Sequence, residues 1–417
     1  MFAAFSGEFF PAVFPLFRHF MSSSNKMTPL ELRASIGLSG IFGLRLLGMF
    51  VILPVFAIYA ESLPGGSDLT LVGIAIGAYG LTQAILQIPF GWWSDRIGRK
   101  PVVYAGLLIF ALGSFVAALA PNIYIVILGR ILQGAGAISA AVIAMTADLT
   151  RETQRAKAMA MIGSTIGASF ALSLIASPWL DRLIGVPGIF AVTGLLALAG
   201  MFVMWRFIPD APPAPPAKGR ALLDFWNVLK DPQLARLNWG IFALHALLMA
   251  LFIVVPFGLR DAGLPLAEHW KVYLPVMLGS FVLMLPPVMQ AGNAVLLRRW
   301  FIVAVALLLA GQLALPWLSG SVWRLSLFLL VFFVPFNVLE AMLPTLTTRL
   351  APAHAKGTAI GLYSTIQFFG TFLGAAAGGA LYKHWGAAGI IALDAVLLGI
   401  WLILALGMRV PPVAART

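Results

Sequence analysis

The sequence predicts an all-α polytopic membrane protein, with twelve transmembrane helices in two pseudo-symmetric six-helix bundles, and three observations carry that prediction. Of 417 residues, 61% are hydrophobic and 10% charged, with a mean hydropathy of +0.96. A single soluble core cannot bury that much apolar surface. The apolar residues also fall into runs close to the roughly 20 residues that a helix needs to cross a bilayer. The third observation is an internal repeat: Gly40-Ile-Phe-Gly-Leu-Arg45-Leu-Leu-Gly-Met49 returns as Gly240-Ile-Phe-Ala-Leu-His245-Ala-Leu-Leu-Met249, with six of these ten positions identical.

In chain order the expected spans are 36–60, 71–92, 101–120, 123–147, 156–180 and 186–207, then 237–259, 270–291, 300–317, 323–347, 356–381 and 386–408. A second echo, Arg155-Ala-Lys157-Ala-Met-Ala160 against His354-Ala-Lys356-Gly-Thr-Ala359, has nearly the same offset as the first. An even number of crossings per repeat gives both halves one direction through the membrane, so their symmetry axis lies along its normal, with a solute site at their interface. The chain therefore divides into an amino-terminal segment 1–35, a bundle 36–207, a linker 208–236, a bundle 237–408 and a tail 409–417. The linker opens with Pro209-Asp-Ala-Pro-Pro-Ala-Pro-Pro216, a semi-rigid spacer. The first residues, where Phe9, Phe10, Phe14 and Phe17 are broken by Pro11 and Pro15, lack the marks of a signal peptide. They are either a genuine extension or lie upstream of a true start at Met21 or Met27.

Charge gives orientation. With the amino terminus in the cytoplasm, only Arg182, Arg260, Lys271, Arg324 and Lys383 fall in outer loops, and Arg45 and Arg130 fall within spans. All the other Lys and Arg residues lie on the inner side, which places both termini in the cytoplasm of a bacterial inner membrane. The net charge of +12 is dispersed over separate loops and so does not point to nucleic acid. The absence of cysteine excludes disulfide and thiolate chemistry. Motifs for zinc hydrolysis, nucleotide binding and serine hydrolysis are missing, so the expectation is no enzyme, no metal and no cofactor beyond a proton gradient as energy source. The expected partners are a small-molecule substrate and the lipid bilayer, with the protein itself a monomer.

Between spans 2 and 3 stands Gly91-Trp-Trp-Ser-Asp95-Arg96-Ile-Gly98-Arg99-Lys100. Its basic residues alone read equally as a positive-inside anchor. The whole block resembles the Gly-x-x-x-Asp-Arg-x-Gly-Arg-Lys loop of major facilitator superfamily transporters, and the resemblance extends over residues 27 to 408. It implies a cytoplasmic gate in which Asp95 faces the amino-terminal end of the eleventh helix near Gly357 and Arg99 pairs with Asp148. The matching loop of the second half, Ala291-Gly-Asn-Ala-Val-Leu-Leu-Arg298-Arg299, has no acid. Leu46-Leu-Gly-Met-Phe50, Gly80-Leu-Thr-Gln-Ala84 and Glu268-His-Trp-Lys-Val-Tyr273 are similar to the YajR-type branch. Members of that branch carry a soluble carboxy-terminal domain, which is not expected here. Arg130-Ile-Leu-Gln133-Gly134-Ala-Gly136 resembles a second superfamily motif, associated with proton-coupled members; a packing surface with a snorkelling arginine is the plainer alternative. Gly163, Gly167 and Ser177-Pro178 match the antiporter motif of drug exporters only in part, with Asp181-Arg182 where paired glycines belong, which leaves the direction of transport open.

Arg45 and His245 occupy matching places about nine residues, or roughly 14 Å, from the inner ends of spans 1 and 7. An arginine at that depth costs several kcal/mol against lipid, so it faces water or a protein partner. Glu340 lies at nearly the same depth, with Asn337 on the same helical face. Glu340 and His245 are the candidates for proton coupling. Arg45, Arg130, Gln133, Tyr79, Gln83, Asn337, Tyr363 and Gln367 are the candidates for a substrate cavity, although each of the polar stripes Tyr79, Gln83, Gln87 and Tyr363, Gln367 could instead tie neighbouring helices together. Asp394 is expected to be structural. The leading expectation is proton-coupled export of amphipathic organic compounds by alternating access. Its alternatives are a proton-independent facilitator or importer of a small organic anion held by Arg45 and Arg130, and a membrane sensor or assembly partner without turnover.

Overall fold

The computed structural model describes residues 26–210, 221–318, 320–352 and 354–409. The Phe-rich start, the proline run from residue 211 and the tail from residue 410 lie outside them.

Among the described residues, ten helical stretches are long and apolar enough to cross a membrane, and two of them are each a pair of helices joined at a glycine, which gives twelve. The first bundle comprises α1 (Pro29–Ala60, interrupted at Val51 and Ile52), α2 (Leu69–Ile97), α3 (Arg99–Ala118), α4 (Ile123–Asp148, interrupted at 136–138), α5 (152–184) and α6 (186–207). The second comprises α7 (Pro232–Asp261), α8 (Trp270–Met289), α9 (Ala294–Leu318), α10 (Val322–Leu350), α11 (356–385) and α12 (387–406). Most helices outrun the apolar runs that signal them, because caps extend them into polar sequence. α1 begins at Pro29 rather than 36: Thr28 and Glu31 form a reciprocal capping box and Pro29 supplies the first turn. α7 begins at Pro232 rather than 237, where the Asp231 carboxylate accepts the N–H groups of Gln233 and Leu234 at 2.8 and 3.0 Å. The corners α5–α6 and α11–α12 are single glycines, Gly185 and Gly386, with φ of 64° and 59°, a left-handed conformation that costs glycine nothing.

The linker contains a helix, Ala221–Lys230, that its polar composition does not announce. It is amphipathic. Val228, with Phe225 beside it, packs onto Leu234 of α7, onto Ala351 and Ala355, and onto Ala359 and Leu362 of α11. Lys26, the α2–α3 corner, this helix and Arg409 define one face of the molecule, the linker face; the α1–α2 and α7–α8 connections define the far face.

How the bundles meet decides which face is open. In the far half, α2 and α11 touch backbone to backbone: a Cβ on Gly73 would lie 2.2 Å from the carbonyl oxygen of Ala375, one on Gly77 2.8 Å from that of Phe372, and one on Gly80 2.7 Å from that of Phe368. From the other side, a Cβ on Gly379 would meet the Leu69 carbonyl at 2.2 Å. Small residues allow this approach, which larger ones would block. At mid-depth Phe170 of α5 crosses to the second bundle and packs on Phe252, Phe333 and Phe336, with ring centroids 6.5, 5.8 and 6.1 Å away. Toward the linker face the contact ends: Cβ atoms on Gly163 and Gly167 of α5, or on Gly357 and Gly361 of α11, would meet nothing within 4 Å. The structure is closed at the far face and open at the linker face.

Gly73→Ala should therefore oppose far-face closure, since a methyl against a carbonyl cannot turn away; overpacking of this kind costs about 1–3 kcal/mol. Gly163→Ala, in open space within a helix, should be neutral or gain up to about 1 kcal/mol. Thermal unfolding of the two purified variants, with spin-label distances across the far face, reads both signs.

Candidate functional site

Two sets of hydrogen bonds tie up most polar groups in the middle of the first bundle, leaving Arg45 Nε and the Tyr79 hydroxyl buried without a partner. The Arg45 guanidinium donates to Ser139 Oγ at 2.6 Å and to Gln83, whose amide donates to Gln87 at 2.7 Å. Arg130 donates to the carbonyls of Ala75 and Ile76, both at 3.3 Å, and to Gln133 at 2.8 Å, and Gln133 donates to Ser114 at 2.8 Å. The Tyr79 ring lies between the two guanidiniums, 5.6 Å from Arg45 and 5.1 Å from Arg130. Arg45, Arg130, Tyr79, Gln83 and Gln133 are all at most 2% exposed. In this conformation they are packed inside the first bundle rather than open to a cavity, and carbonyls and amides replace the water that a guanidinium loses in hydrocarbon. Asn337 is likewise bonded within its own bundle: its amide donates to Ser280 of α8 at 3.0 Å and ties α10 to α8.

The second bundle differs. His245 Nε2 and Gln367 Nε2 are 2.8 Å apart, and the His245 ring lies 6.3 Å from that of Phe336. Glu340 follows Phe336 by one turn on the same face of α10; it is partly exposed, and its Oε2 is buried without a partner. Tyr363 is one turn from Gln367 on α11. Phe332, Phe333 and Phe336, with Phe332 and Phe336 stacked at 5.7 Å, extend the aromatic surface around this group. The structure thus brings His245, Gln367 and Phe336 together, sets Glu340 a turn away, and keeps Arg45 and Arg130 apart in the other bundle. Asp394 is fully buried on α12, whose Trp401 packs on Phe301 of α9 with ring centroids 6.1 Å apart.

At the linker face the loop block is pre-assembled. Gly98, with φ of 97°, turns the chain between α2 and α3. Arg99 donates to Ser94 at 2.8 Å, to Asp148 at 3.0 Å and to Asp95, and Ser94 donates back to the Gly91 carbonyl at 2.7 Å. Arg96 stacks over Trp92 at 3.7 Å, and Lys100 pairs with Asp210 at 3.0 Å. The expected placement of Asp95 against the start of α11 is not made here: Asp95 is held by Arg99 inside its own bundle, and Gly357 faces open space. With the linker face open, the two halves of that contact are parted.

Sequence reasoning missed the aromatic floor, although Phe332, Phe333 and Phe336 recur at helical spacing in one span. It also missed Ser139 and Ser280, which carry no signal of their own.

A two-bundle, twelve-helix fold whose bundles meet toward one face and part toward the other is that of a membrane transporter. Residues 38–375 match the Major Facilitator Superfamily, and the chain belongs to that family. It is 43% identical to the inner membrane transport protein YajR of Escherichia coli over 389 residues, 93% of this chain and 86% of that one. It is 25% identical to the quinolone resistance protein NorA of Staphylococcus aureus over 379 residues, 86% of this chain and 92% of that one. Among solved structures it is similar in fold to a bacterial homolog of the human lysosomal transporter Spinster, with a TM-score of 0.73 and 14% identity over 91% of this chain and 97% of that one.

Arg99→Ala should leave Asp95 and Asp148 without their shared cation. Single cysteines placed beneath the loop, in a chain that has none of its own, should then label faster in the Arg99→Ala and Asp95→Asn variants; unchanged labelling would exclude a gating role for the loop.

Proposed function

We propose that this protein is a proton-driven secondary transporter that exports amphipathic organic compounds, with the linker face in the cytoplasm. One observation carries the reading: a carboxylate, Glu340, stands with a buried, unpartnered oxygen on the same face of α10 as the aromatic surface at the end of the chamber. An acid in that setting gains or loses a proton as water and solute replace one another around it, and the aromatic rings offer a broad, weakly directional surface to apolar solutes. The resistance role in the name of the Staphylococcus aureus relative agrees with such a substrate class. The lysine and arginine bias supports the orientation.

The organic-anion alternative needs a free arginine in the chamber. Arg130 is fully engaged by carbonyls and Gln133, and Arg45 is buried with both terminal nitrogens bonded to Ser139 and Gln83, which weighs against it.

Purified protein in proteoliposomes, with amphipathic fluorescent dyes and an imposed pH gradient, tests the proposal. Dye should move against its own gradient at the expense of the proton gradient. Glu340→Gln should abolish that driven movement while leaving exchange down a dye gradient. Flux in the unmodified protein that is indifferent to the pH gradient would overturn the proton-coupled reading.

A further inference from the structure

At the far face, two ion pairs join one bundle to the other. Arg260 at the end of α7 donates to Glu61, just past α1, at 2.6 Å. Lys383 near the end of α11 donates to Asp68, the N-cap of α2, at 2.9 Å. Both pairs lie directly beyond the glycine contacts of α2 with α11. The repeat that matches Gly40 with Gly240 also matches Glu61 with Asp261, so the pseudo-symmetry sets an acid at the end of each central helix. Arg260 lies between them, 3.6 Å from Asp261 and 5.0 Å over the Phe257 ring, while its own counterpart in the first half is Ala60. One cation thus bridges two symmetry-related acids across the bundle boundary. The cleft they share, about 410 Å³ and lined also by Leu69 and Tyr382, is open to solvent.

We infer that Glu61, Arg260, Asp261, Asp68 and Lys383 form a far-face latch that sets the resting population of the closed state, a counterpart to the loop block on the linker face. Solvent exposure makes the latch weak enough to break in every cycle: an exposed pair shifts an equilibrium by up to about fivefold. The arrangement is asymmetric. Removing Glu61 leaves Arg260 with Asp261, whereas removing Arg260 leaves two acids facing each other and drives the bundles apart. The Lys383 ammonium holds the Asp68 carboxyl below its ordinary value. The charged pair is therefore fully formed above the ordinary carboxylate range and fails only as the pH drops below it, so the latch is set at neutral pH. The inference needs only that the two bundles rock, and does not depend on proton coupling or on the identity of the solute.

Spin labels at Leu119→Cys and Trp323→Cys, exposed positions on far-face ends of opposite bundles, would report the far-face opening by electron–electron distance, with no substrate or gradient present. Arg260→Ala should raise the long-distance population about threefold to fivefold, more than Glu61→Ala does, and Lys383→Ala should raise it independently. Arg260→Glu should open the face further, and the exchanged pair Glu61→Arg with Arg260→Glu should restore the original distribution. A distribution unchanged in both Arg260→Ala and Arg260→Glu, or an exchanged pair that behaves like Arg260→Glu alone, would overturn the latch.

Discussion

One helix, α2, meets two demands that most helices cannot meet together. Toward α11 it must present almost bare backbone, and Gly73, Gly77 and Gly80 do so. Toward α1 and α4 it must answer two cations buried in hydrocarbon, and it does so with Gln83 for Arg45 and with the carbonyls of Ala75 and Ile76 for Arg130. Hydrocarbon offers no hydrogen bonds of its own, so without these acceptors neither arginine could remain at mid-depth. The glycines and the acceptors lie on different sides of α2. The helix is thereby fixed within its own bundle and left smooth against the other, as a body that rocks as a unit requires. Its inner end then becomes the loop block, so a tilt of α2 at the far face moves the gate at the linker face.

The halves of the chain are related by sequence yet divide the work unequally. In the first half both intramembrane cations are held mainly by protein groups. In the second, Glu340 keeps an unpartnered oxygen on the helix face that carries the aromatic surface, and the loop that corresponds to the Gly91–Lys100 block holds no acid. Matching positions Arg45 and His245 show the divergence most directly: the same place on α1 and α7 carries a guanidinium bonded to Gln83 and Ser139 in one half and an imidazole beside Gln367 in the other.

The architecture was legible because its signal is composition repeated at fixed length, which tertiary contacts cannot override in a bilayer. Helix ends were less so: Thr28, Asp231 and Asn293 extend helices into polar sequence through local hydrogen bonds that a hydropathy run does not register. The linker helix escaped because the partner of Phe225 and Val228 lies far along the chain at Ala355 and Ala359. For the site, depth could be read and direction could not. Sequence spacing sets Arg45, Glu340 and His245 at similar expected depths, yet which way each points depends on helix rotation, set by contacts such as Asn337 with Ser280 that join residues from distant spans. The exposed pairs at the far face were invisible for the same reason, since each joins residues from different halves.

Alternating access also constrains how strongly either face may close. A state held by many kcal/mol would trap the transporter, because a ligand shifts a two-state equilibrium only by its differential affinity for the two states. Here the far face is closed by a glycine contact of short range and by ion pairs exposed to water, each a small contribution. The linker face is held in reserve: Arg99 already ties Asp95, Ser94 and Asp148 together before α11 arrives. Pre-assembly lowers the entropy lost when that face closes, since the loop need not be ordered at the moment of contact. Weak closure on one side and an ordered but undocked loop on the other keep the two states close in free energy, which lets a modest difference in ligand affinity decide between them.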